Sequence, residues 1–112
     1  MAKWEKEYFD TDVYVPWTQV ADAAPGVMEK ILAIDEEGNK TRLLKYPSLN
    51  YGKECCHDFW EETFILQGSL YDEGNNIHYL PGYFACRPPG MKHGPFSSPQ
   101  GCLLIEFHYY KK

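Results

Sequence analysis

Apolar positions along this chain fall in alternation or in short unbroken runs, and nowhere at a sustained helical period. The segment "VMEKILAIDEEGNKTRLLKYP" carries two apolar-rich runs around the polar stretch Asp35-Glu36-Glu37-Gly38-Asn39. That arrangement predicts a β-hairpin with a loop longer than the tightest type. The stretches "TFILQGSL", "NIHYL", "GYFACRP" and "GCLLIEFHYY" predict four more strands. They are rich in aromatic and β-branched residues and are punctuated by Gly, Pro and Asn. One short helical turn fits "TQVADAA". Residues 1–26, with Pro16, Pro25 and two tryptophans, read as an extended arm, and residues 27–112 as the β domain. Several short strands with regular turn signals imply an all-β sandwich or barrel. Trp4, Tyr8, Phe9, Val13, Val15 and Trp17 are too apolar for an arm left in water, so the arm is expected to lie on a sheet edge.

The length of 112 residues suits one small domain. Net charge is −5 and the one basic run is Lys111-Lys112. Nucleic acid is not an expected partner, because phosphate neutralisation needs a concentrated basic patch. The opening "MAKWEKEYFD" has no signal-like apolar stretch and no membrane span, so a cytoplasmic location with reduced thiols is expected. Of the four cysteines, Cys55 and Cys56 are adjacent, where a mutual bond would be strained, and no C-x-x-C pair exists. Buried core thiols are the simpler reading.

The candidate chemistry begins at "ECCHDFWEE". Cys55, His57 and Glu61 share one parity and project to one face of an extended backbone. Glu62 faces the other way and is a weaker alternate. In "GYFACRPPGMKHGPF" the Pro-Pro-Gly turn reverses the chain and aims His93 back across the sheet. His78 reads as a loop or strand-edge residue. His108 alternates with Glu106 and Tyr110 and is expected to face solvent. Phe59, Trp60, Phe64, Tyr83, Phe84, Phe96, Phe107 and Tyr109 are expected mostly in the core, with a few walling an apolar pocket.

Cys55 to Gly68 gives C-x-H-x3-E-x6-G, and Gly82 to His93 gives G-x5-P-x-G-x2-H. Together these spacings resemble the two motifs of the cupin superfamily, H-x-H-x3–4-E-x6-G and G-x5-P-x-G-x2-H-x3-N. Cys55 stands where the first motif opens with histidine, and Ser97 where the second ends with asparagine. The wider sequence is similar to the ChrR-type branch. The resemblance implies a small antiparallel double-stranded β-helix, a jelly-roll barrel, with His57, Glu61 and His93 as ligands of a divalent metal and Cys55 at the fourth ligand position. Two imidazoles and a carboxylate suit a non-haem Fe(II) site with open positions; adding a thiolate suits four-coordinate zinc. Ligand type does not separate Fe, Zn and Ni.

Two function classes follow from the resemblance. One is a metal-dependent, dioxygenase-like enzyme acting on a small carbonyl-bearing or apolar molecule. The other is a non-catalytic small-molecule binding or sensory cupin, with or without metal. An anti-sigma role is not expected, because residues 1–26 hold neither an amphipathic helix nor a Cys/His cluster. By analogy with small cupins, the chain is expected to form a homodimer.

Overall fold

The computed structural model describes residues 3–48 and 56–110. A single-turn helix, α1 (Thr11–Tyr14), precedes nine strands: β1 (Thr18–Gln19), β2 (Met28–Ile34), β3 (Lys40–Tyr46), β4 (Trp60–Gly68), β5 (Leu70–Asp72), β6 (Ile77–Tyr79), β7 (Phe84–Arg87), β8 (Phe96–Ser97) and β9 (Cys102–Tyr109). They form a six-stranded sheet in the order β1-β2-β3-β9-β4-β7 and a three-stranded sheet β6-β5-β8. All pairings are antiparallel. Among the described residues, no helix is long and apolar enough to cross a membrane.

The expected hairpin is β2–β3. Asp35 closes its loop: its backbone N–H donates to the Asn39 carbonyl at 3.0 Å, and its carboxylate accepts from the N–H groups of Glu37 and Asn39, each at 2.9 Å. The stretch "TFILQGSL" divides at Gly68, where the chain leaves one sheet for the other. Gly68 has φ +77°, and a Cβ there would sit 2.1 Å from the Gly101 carbonyl oxygen. Only glycine makes that turn.

Three local expectations change. The helical turn lies at α1, not in "TQVADAA"; Asp10 caps it by accepting from the Asp12 N–H at 2.9 Å. Thr18 and Gln19 instead pair with β2, and β8 joins the smaller sheet as a strand too short to read in advance. Third, the arm is not uniformly buried. Tyr8 is fully exposed and Trp4 half exposed. The arm is anchored at Lys30, whose ammonium donates to the Thr11 carbonyl at 3.2 Å and to Asp12 Oδ1 at 3.1 Å. The Trp17 ring receives the ammonium groups of Lys30 and Lys45 at 4.9 and 4.4 Å.

Strand register stacks the inward side chains of the large sheet in rows. Leu44, Leu104 and Ile65 form the first, joined by Val27, Leu70 and Cys102 in the apolar core. Burial pushes the Cys102 thiol up to about 12, so it stays a neutral core group. Next come Arg42, Glu106 and Thr63, and beyond them His108, Glu61 and Arg87. One end of the interior is thus apolar and the other charged. On the opposite face, Phe64 pairs with Phe84 and, like Phe107, is partly exposed, contrary to the expectation of core positions. Their parity points them away from the interior.

Asp72 closes the β5–β6 turn. Its carboxylate accepts from the N–H groups of Gly74 and Asn75, from Asn75 Nδ2 and from the Tyr79 hydroxyl, at 2.8–3.2 Å. Burial opposes its charge, but these donors win and hold its pKa below the ordinary aspartate value. The stabilisation is therefore present above about pH 4 and is lost as pH falls through the lower folded-state value. Asp72→Asn should cost about 1–2 kcal/mol at pH 7. Urea melts at pH 7 and pH 3 should find the gap narrowed in acid.

Candidate metal centre

His57 lies just before β4 and Glu61 within it, so the edge of one strand supplies two of the expected donors. His93 comes from the loop after β7. The Pro88–Met91 turn there is closed by the Met91 N–H donating to the Pro88 carbonyl at 3.2 Å. The Gly90 N–H donates to the His57 carbonyl at 2.8 Å, which ties the two motif segments together. His57 Nε2 is 3.7 Å from Glu61 Oε2, and His93 Nε2 is 4.0 Å from Glu61 Oε1. One donor atom from each residue lies within 4.8 Å of the other two. Cys55 lies outside the described residues.

Glu61 is buried among cations. Arg87 Nη1 donates to its Oε1 at 2.5 Å, and His108 Nε2 is 3.2 Å from its Oε2. Burial works against its charge, yet the His108 hydrogen bond and the Arg87 charge prevail and hold it down at about 2. His93 is shifted the opposite way: burial and the nearby Arg87 charge lower its pKa, which favours the neutral ring. Its Nδ1 is buried and makes no well-formed hydrogen bond among the described residues. A divalent ion requires an ionised carboxylate and neutral imidazoles, and Glu61 and His93 are already in those forms. The donor set therefore fits the metal that the motifs imply.

His108 is a correction to the sequence reading. It is buried rather than solvent-facing, at 4 % exposure. Its Nε2 sits between Glu61 Oε2 and Glu106 Oε1, at 3.2 and 3.1 Å. Burial disfavours its charge, but the two carboxylates outweigh this and raise its pKa. Phe59 stacks on both His108 and His57, at 4.4 and 4.6 Å between ring centroids. Glu106 is also bound by Arg42, from Nε at 3.0 Å and Nη2 at 2.8 Å. Glu61, Glu106 and His108 form a second close group of donors. There Arg42 already supplies the positive charge that an ion would bring.

Two cavities of about 380 and 340 Å³ adjoin the charged rows. Both are lined by Thr63, Leu70, Arg87, His93, Phe96 and Leu104, and the smaller also by His57 and Glu61. A pocket of this size with apolar walls and a few convergent polar groups is the usual form of a small-molecule site.

The family model for the ChrR cupin-like domain matches residues 5–111. The chain belongs to this cupin family. A search of curated proteins finds no match. Among solved structures, an RmlC-like cupin from Ralstonia eutropha superposes with a TM-score of 0.78 at 19% identity, covering 95% of this chain and 69% of that one. An acetylacetone dioxygenase from Acinetobacter johnsonii gives 0.72 at 16% identity, covering 94% and 74%. The anti-sigma factor ChrR of Rhodobacter sphaeroides, solved with SigE, gives 0.65 at 22% identity, covering 85% of this cupin and 50% of ChrR. At these identities the likeness establishes the jelly-roll fold, as the motif spacing implied.

Proposed function

We propose that this cupin holds a divalent metal through His57, Glu61 and His93 and acts as a dioxygenase-like enzyme on a small carbonyl-bearing molecule in the adjoining cavity. The convergence of three donor atoms within 4.8 Å beside that cavity carries the reading. Bound there, a metal would supply Lewis acidity and a redox centre. The chain supplies the rest. Neutral His93 and ionised Glu61 offer their donor atoms without first losing protons. Phe59 packs His57 in place, and Phe96, Leu70 and Leu104 keep the cavity wall apolar. Cys55, at the fourth ligand position of the motif, belongs to the proposal as a thiolate ligand.

Metal analysis of protein purified without chelator tests this, followed by anaerobic Fe(II) loading and oxygen uptake with small diketones and oxo acids. Stoichiometric Fe, Zn or Ni supports the metal site, and oxygen uptake with a redox-active ion bound supports the dioxygenase reading. Metal lost in Cys55→Ser assigns the thiolate, and metal retained leaves a site of two histidines and one carboxylate. The Glu61–Arg87 pair favours a second reading, a binding cupin without metal. Ligand binding by protein free of metal, with no turnover after loading, would select it.

We also infer a cytoplasmic homodimer in which Phe64, Phe84 and Phe107 cover one another across two copies. The partly exposed apolar face of β4, β7 and β9 supports this. Light scattering should give twice the chain mass, and Phe84→Glu should give the monomer; a monomeric parent protein would refute it.

A further inference from the structure

We infer that Arg87 anchors the carboxylate of a small organic acid, which makes an oxo acid, rather than a neutral carbonyl compound, the ligand of this cavity. The inference deepens the proposed function and rests on it only for the metal beside the anchor.

Arg87 closes β7 opposite Glu61, and its side chain is 13% exposed. A guanidinium carries five N–H donors. Among the described residues, Arg87 makes one side-chain hydrogen bond, from Nη1 to Glu61, and its Cζ lies 5.5 Å from the centre of the Phe96 ring. None of its nitrogens is both sealed from solvent and unpaired. The uncommitted donors therefore open on the space around them, and Arg87 lines both cavities.

Arg42 provides the contrast. It spends Nε, Nη1 and Nη2 on Glu106 and Glu29, at 2.8–3.0 Å, and is closed as a structural group. Of the two other buried acids on the cavity walls, Glu106 is held by Arg42 and His108, and Asp72 already accepts from four donors. A half-committed guanidinium against apolar walls calls for a planar anion, since its fork matches a carboxylate. The low dielectric of such a wall strengthens that bond.

Position narrows the class further. Arg87 Nη1 touches the same Glu61 oxygen that faces His93. A carboxylate on Arg87 therefore lies beside the three-donor cluster. A carbonyl one or two carbons away would reach that cluster, as in a 2-oxo or 3-oxo acid.

The test compares acetoacetate with acetylacetone, which replaces the carboxylate by an uncharged acetyl group. Calorimetric titrations are run on chelator-treated and on metal-loaded protein, with metal content measured in parallel. Acetoacetate should bind at least about 10-fold more tightly in both forms. Arg87→Gln should weaken acetoacetate by about 10- to 100-fold, and by at least about 10-fold more than it weakens acetylacetone. Arg87→Lys, a point charge without the fork, should fall between. Thermal melts identify folded variants, and the parent protein's preference decides the matter if neither variant folds. Equal or tighter binding of acetylacetone overturns the inference, as does unchanged acetoacetate binding in folded Arg87→Gln, or no saturable binding of either probe. A preference for the acid in protein that never takes up metal sustains Arg87 and defeats the metal reading. Stoichiometric metal without the preference does the reverse.

Discussion

Protein carrying His57→Ala or His93→Ala should come through purification without stoichiometric metal. Each change removes one of three protein donors that lie within 4.8 Å of one another. Loss of a group that merely orients a ligand already costs roughly 10- to 100-fold in metal affinity, so loss of a ligand should cost more than about 100-fold. Glu61→Gln should weaken binding strongly, because an amide brings no charge to a position where the carboxyl is held at about 2. Cys56→Ser is the control, since Cys56 is exposed. Elemental analysis of all four variants against the parent reads the result. Full occupancy in the double variant His57→Ala with His93→Ala would leave the motif spacing with an architectural role alone.

His108→Ala should destabilise the metal-free protein by about 3 kcal/mol. The change removes the ring that separates Glu61 from Glu106, whose protonated form the two carboxylates favour, and opens a gap beside Phe59. The sign of its pH dependence follows from the raised pKa. A group whose folded-state pKa exceeds its unfolded value stabilises fully below the unfolded value, about 6.5 here, and loses that contribution as pH rises through the folded value. Urea melts of chelator-treated parent and variant should therefore differ more at pH 6 than at pH 9. A gap that widens toward pH 9 would mean that His108 is buried as the neutral ring.

Much of this was legible because the relevant signals are local. The β2–β3 hairpin follows from the Asp35–Asn39 turn, and the jelly roll from two motif spacings that put Gly68, Gly82 and Gly90 where the backbone takes positive φ. Face assignment on β9 was not legible. Outward Ile105 and Phe107 are apolar while inward Glu106 and His108 are charged, the inverse of an ordinary half-buried strand. Judged by polarity, His108 goes to solvent. Only its register opposite Glu61 sends it inside. Arg87 escaped notice for a similar reason: it holds no motif position, and its meeting with Glu61 depends on the pairing of β4 with β7. A buried site reverses the polarity rule in the strands that build it, so parity becomes informative only once one inward residue is known.

The place of β9 in the large sheet has a consequence for how the chain is made. Within that sheet, β1, β2 and β3 join β4 and β7 only through β9, the last strand in sequence among the described residues. Until residues 102–109 leave the ribosome, β3 and β4 each present an open edge with unpaired N–H and C=O groups. Open edges recruit strands from other chains. Pairings this distant in sequence also form slowly, because a long loop must close before any contact rewards it. The hazardous interval for this protein therefore runs from the synthesis of Gly68 to the docking of Cys102–Tyr109. The strand that ends it also delivers Glu106 and His108, so the charged end of the interior is assembled as the β3 and β4 edges are covered.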